Sequence, residues 1–201
     1  MPKVKVKRKN PSLDMTPMVD LFFLLVTFFM LTATARPDEA VVVDTPSSVS
    51  EIKIPDTNVI TITVDKDSRV FFGVDGQQTK EALLDKIAGK YGVGFTAEEK
   101  RTFSLLSNFG VPINQLKSFL SMESSARKEV NQPGIPIDSV HNELGDWVLQ
   151  TRLTNPKVVI AIKGDQDADY PTVQRVIDIL QDRKVNRFNL ITDMESKPTN
   201  L

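Results

Sequence analysis

The longest apolar stretch of the chain is residues 18–35, MVDLFFLLVTFFMLTATA, interrupted by a single charge at Asp20. An amphipathic helix of a soluble domain shows polar residues every third or fourth position. Here residues 21–31 are apolar on every side except at Thr27, whose hydroxyl a helix satisfies internally. Such a stretch rises about 27 Å as a helix, close to the ~30 Å hydrocarbon thickness of a bilayer. Thr16 offers a cap for the first free amides, and Pro17 suits the first helical position. The pattern predicts a transmembrane helix over residues 16–35, preceded by a tail over 1–15.

Beyond it the pattern changes. Residues 36–51 group Val41, Val42 and Val43 among prolines, Ser and Thr without a helical period, which predicts an extended, flexible linker. A folded domain is expected over 52–194, with a tail over 195–201. Residues 59–64, VITITV, alternate branched apolar residues with Thr and predict a strand, returned by a second over 69–72 after a polar turn. From Thr79 a helical period follows, with Leu83, Leu84 and Ile87 on one face. Residues 142–153 predict a helix around Trp147. Residues 157–162, KVVIAI, predict a buried strand, 170–180 a helix carrying Val173, Val176, Ile177 and Leu180, and 188–191 a closing strand. This order predicts an α+β domain with helices on one sheet face.

About fifty residues in the middle, 91–140, exceed what that small domain needs. Thr96 to Glu99 has the form of a capping box opening a helix with Phe103, Leu105, Leu106 and Phe109, and a second helix surrounds Leu116, Phe119, Leu120 and Met122. This helical insertion either covers its own apolar face or presents a surface to a partner or to a second copy.

Charge orients the anchor. Net charge is −1, yet Lys3, Lys5, Lys7, Arg8 and Lys9 all precede the apolar run, and acids outnumber bases after it. The positive-inside rule places the N-terminus in the cytoplasm and the domain on the far side. A cleaved signal peptide is the rival reading, though an acid within the apolar region and a proline at its entrance are wrong for one. A nucleic-acid grip is disfavoured, because no second basic patch supports the head. The chain has no cysteine and one histidine, His141, which argues against disulfides, thiol chemistry and His-ligated zinc. Asp165, Asp167 and Asp169 alternate as cation ligands do, but lack the Gly and distal Glu of an EF-hand loop. They are expected to form a solvated turn before the helix at Tyr170. No cofactor, metal or enzymatic constellation is expected.

The chemistry therefore centres on Asp20. Lipid disfavours a charged carboxylate, by ~2.5–3.5 kcal/mol on insertion scales. The nearby helix N-terminus favours the anion, by about 0.3–1 kcal/mol. A carboxyl held between these influences can take up and release a proton. Thr27 and Thr34 follow at sevenfold spacing, so the three residues share one helix face, which should meet protein or water. The alternative is a carboxylate that only marks the interface.

Residues 13–20, LDMTPMVD, followed by LFFLLVTFFMLTA, resemble the N-terminal signature of the ExbD/TolR family. Thr16, Pro17 and Asp20 match its Thr-Pro, two apolar residues and Asp. The run Val43, Asp44, Thr45, Pro46 is similar to the family's Asn-Leu-Pro-like segment, with Asp44 and Thr45 departing from it. The resemblance extends over roughly 11–85 and 142–194, and the insertion departs from it. It implies a single-pass subunit in the inner membrane of Gram-negative cells with a periplasmic domain. Two such helices would stand in a ring of an ExbB/TolQ-like polytopic protein. Asp20 would carry protons down their gradient, and motion would pass to a TonB/TolA-like protein spanning the periplasm. The alternatives are a TolR-like subunit serving envelope integrity, or a membrane-tethered module that binds peptidoglycan or protein.

Overall fold

The computed structural model describes residues 15–32, 40–41, 43–48, 57–138, 142–191 and 193–194. The chain divides into two units, residues 1–36 and 37–201. The first holds helix α1, Thr16–Thr32, whose seventeen residues leave no side chain buried. Among the described residues, no helix is long and apolar enough to cross a membrane. Where a transmembrane helix is expected over 16–35, the structure describes an apolar helix over Thr16–Thr32, and residues 33–35 lie outside the described ones.

The second unit is built on a five-stranded mixed sheet. In chain order its strands are β2 Val59–Val64, β3 Val70–Val74, β4 Asn108–Phe109, β5 Val159–Gly164 and β6 Phe188–Ile191. A short strand β1, Ser47–Ser48, precedes them, and β7, Asp193–Met194, follows. The sheet order is β4-β3-β2-β5-β6, with β1 and β7 forming a separate parallel pair. β2 pairs antiparallel with β3 through a turn closed by the Asp65 carboxylate, whose Oδ1 accepts from the Asp67 and Arg69 amides at 3.0 and 2.9 Å. β2 also pairs in parallel with β5, far along the chain, and β5 pairs in parallel with β6.

The helices are α2 Gln77–Tyr91, α3 Ala97–Leu105, α4 Ile113–Ser121, α5 Ser124–Glu129, α6 Glu143–Thr154 and α7 Tyr170–Asp182. The expected capping box is present: Glu99 N donates to Thr96 Oγ1 at 3.2 Å, and Thr96 N to Glu99 Oε2 at 2.7 Å. The period-two pattern directs Ile60, Ile62, Val70, Phe72, Ile160 and Ile162 to one face, where they share a core with Leu83, Leu84, Trp147 and Leu180. The α+β reading thus holds as one mixed sheet packed by helices.

The insertion does not simply cover itself. Phe103 and Phe109 enter the main core, and the Phe109 ring meets Trp147 edge-on with centroids 4.9 Å apart. The insertion also supplies β4, which extends the sheet past β3.

Candidate functional site

Helix α1 carries Asp20 one turn from its start. Val19 N donates to Met15 O at 3.0 Å, so Thr16 lies within the first turn, one position inside the cap expected for it, and Pro17 follows. Among the described residues Asp20 has neither an ion-pair nor a hydrogen-bond partner. Around it Met18, Val19, Leu21, Phe22, Phe23 and Leu24 are all exposed. Exposed apolar area of this extent marks a surface made for lipid or protein.

Thr27 lies seven residues beyond Asp20, within about 20° of the same face and roughly 10 Å along the axis. Its Oγ1 donates back to the carbonyls of Phe23 and Leu24, both at 2.9 Å. The hydroxyl proton is thereby satisfied inside the helix, and Thr27 softens the polarity of that face without reaching Asp20. Thr32 makes the same kind of bond to Phe28 O at 2.8 Å, but sits about 120° away from Asp20 around the helix. Thr34 lies outside the described residues.

The segment Val43, Asp44, Thr45, Pro46 belongs to the second unit. It is not a loose spacer there. Val43 and Thr45 are buried, at 6% and 9% exposure. Asp44 N donates to Asp165 Oδ2 at 3.3 Å, and Asp44 O accepts from Gln166 N at 2.8 Å. Upstream, Ala40 N donates to Asn108 Oδ1 at 2.6 Å. Sequence reasoning missed Asn108 and Asp165 as holders of the linker, because both are distant in the chain, and the alternation of Asp165, Asp167 and Asp169 pointed only to a turn.

Asp165 explains its own turn: Oδ1 accepts from the Asp167 amide at 3.0 Å, which uses the carboxylate as a backbone clasp. Among the described residues no group of three His, Asp or Glu side chains is placed to hold a metal ion. His141 lies outside them.

Elsewhere in the domain charge is used structurally. Asp146 is buried where α2, α6 and α7 meet, and it receives the Tyr91 hydroxyl at 2.8 Å, Lys90 at 2.5 Å and Arg183 at 3.1 Å. Partial burial, then the hydrogen bond to Asp146, push the Tyr91 phenol well above its ordinary value. Lys80 reaches the Ser104 and Leu106 carbonyls at the end of α3, and burial pulls its ammonium below its ordinary value. These groups tie helix ends together and form no reactive set.

The family described as Biopolymer transport protein ExbD/TolR matches residues 6–195. Neither a curated protein nor a solved structure matches the chain. The match spans the apolar helix, the docked linker segment and the mixed-sheet domain together, including the insertion. The chain belongs to the ExbD/TolR family of membrane-associated, non-catalytic subunits that energise biopolymer transport.

Proposed function

We propose that this chain is the inner-membrane subunit of a motor of the ExbB-ExbD-TonB type, driven by the proton-motive force, with Asp20 as its proton-carrying carboxylate. One observation carries the reading: α1 bears a single ionisable side chain on an otherwise uncharged helix with no buried residue. A plain anchor needs no acid, and a charged one within a bilayer costs ~2.5–3.5 kcal/mol. Retaining it at that cost fits a group whose charge changes during work.

In this reading the N-terminal basic tail is cytoplasmic and the domain periplasmic. Two copies of α1 stand within a ring of an ExbB/TolQ-like polytopic protein, which covers the apolar flanks and brings polar groups to Asp20. Protonation removes the charge and lets that face turn towards apolar surroundings. Release restores the charge and favours the polar side again. A TonB/TolA-like protein receives the motion through the domain.

Asp20→Asn keeps size and hydrogen bonding but cannot cycle charge. In cells that depend on this gene, the variant is expected to insert and assemble with its ring normally while energised outer-membrane uptake is abolished. Normal uptake would refute the proposal. Replacing α1 with a neutral leucine helix separates the motor from a tethered binding module, which would keep its function.

A further inference from the structure

We infer that Thr27 is a positioning residue for proton delivery: its hydroxyl oxygen, which can only accept, anchors the far end of a short line of waters that leads to Asp20.

The inference rests on the reading of Asp20 as the proton carrier and gives that proton a route. Helix geometry places Thr27 about 20° from Asp20 around α1 and roughly 10 Å further along it. Residues 21–26, LFFLLV, bring no polar side chain between the two. Hydrogen-bonded oxygens stand about 2.8 Å apart, so about three waters span the gap. A water held among apolar side chains needs two or more polar partners. Asp20 supplies them at one end of the line, and Thr27 is the next polar side chain along α1. It lies on the C-terminal side of Asp20, which in the proposed orientation is the periplasmic side, from which protons arrive.

The bonding of the hydroxyl decides what Thr27 can do. Its one proton is shared between the carbonyls of Phe23 and Leu24, both at 2.9 Å. The lone pairs of the oxygen remain, on a residue that is exposed. Thr27 therefore accepts hydrogens from water and offers none. A hydrated proton, which has hydrogens to donate and no lone pair to spare, suits such an oxygen. In the transfer each water forms one O–H bond and breaks another, and the last proton bonds to the Asp20 carboxylate. The net change is hydronium to water and carboxylate to carboxylic acid, while Thr27 gains and loses nothing. Thr32 shows that the bond to the backbone is not enough by itself. It donates to Phe28 O at 2.8 Å in the same manner, yet lies about 120° round the helix from Asp20.

Thr27→Val keeps the branched shape and removes the oxygen. In cells that depend on this gene, energised outer-membrane uptake is measured against external pH, and ring assembly is checked by co-purification. With proton delivery made limiting, Thr27→Val is expected to assemble normally, to slow uptake about tenfold near neutrality, and to make it rise about tenfold per pH unit of acidification. The unmodified chain should show a flatter profile. Thr27→Ser returns the oxygen and should return the flat profile, and Thr32→Val should change neither rate nor profile. A flat profile in Thr27→Val, a loss of assembly there, no rescue by Thr27→Ser, or the same change in Thr32→Val would overturn the inference. So would dependence on external sodium in place of pH, since sodium also suits an oxygen that only accepts. If any of these comes while Asp20→Asn abolishes uptake, the role of Thr27 falls and the motor reading stands. Uptake that survives Asp20→Asn removes both.

Discussion

Phe109→Ala tests whether the insertion is part of the domain core. The side chain is 2% exposed, and its ring lies 5.2 Å from Phe103, 6.0 Å from Phe72 and 4.9 Å from Trp147. Truncating such a residue removes its transfer free energy and leaves a cavity, together about 3–5 kcal/mol. Loss of the edge-on aromatic contacts belongs within that range, since each contributes roughly 0.5–1.5 kcal/mol. Against a typical total of 5–15 kcal/mol this is a large share, and it corresponds to a fall in Tm of roughly 6–20 °C. Trp147 is the only tryptophan and touches the altered site, so its fluorescence reports both the local change and global unfolding. Leu105→Ala, also in the insertion but 61% exposed, is the control and should stay within about 0.5 kcal/mol. If Phe109→Ala cost no more than the control and left the Trp147 signal unchanged, the insertion would be folding apart from the core.

The other predictions concern glycines and alkaline pH. Gly110→Ala should destabilise by about 1–3 kcal/mol in urea titration, because its Cβ would fall 2.4 Å from the Phe71 Cδ1. Gly89→Ala, exposed within α2 and with no atom within 4 Å of the added Cβ, should instead stabilise by about 0.5–1 kcal/mol. The Tyr91 phenol titrates higher in the folded state than its ordinary 10.0, so the native domain holds that proton where the unfolded chain has lost it. The stability from this contact is complete below pH 10.0 and falls as pH rises beyond it. Tyr91→Phe should flatten that alkaline slope in denaturant titrations. An unaltered slope would show that Tyr91 is not its source.

Local chemistry was legible where it governs local structure. Strand β2 stands where Val-Ile-Thr-Ile-Thr-Val alternates, and α3 begins at the Thr96 capping box. The return strand β3 is longer than expected because Val70–Val74 is buried throughout, and a strand covered on both faces shows no alternation. β4 was invisible: two residues, Asn108–Phe109, become a strand only because β3 offers an edge. The parallel pairing of Val59–Val64 with Val159–Gly164 spans the whole insertion, and no local pattern encodes it. The bonds that hold part of the linker were hidden for the same reason. Val41, Val42 and Val43 show no period, and the bonds made by the neighbouring Ala40 and Asp44 go to a carboxamide at Asn108 and a carboxylate at Asp165.

The Asp20 site differs in kind, because its side chain meets no partner among the described residues. In the domain the aromatic residues share one core, and the buried Asp146 meets Tyr91, Lys90 and Arg183. Helix α1 completes nothing, with all seventeen residues unburied and an acid without a partner among the described residues. A carboxylate on such a helix gains a directional function only when another surface makes its charged and neutral states prefer different positions.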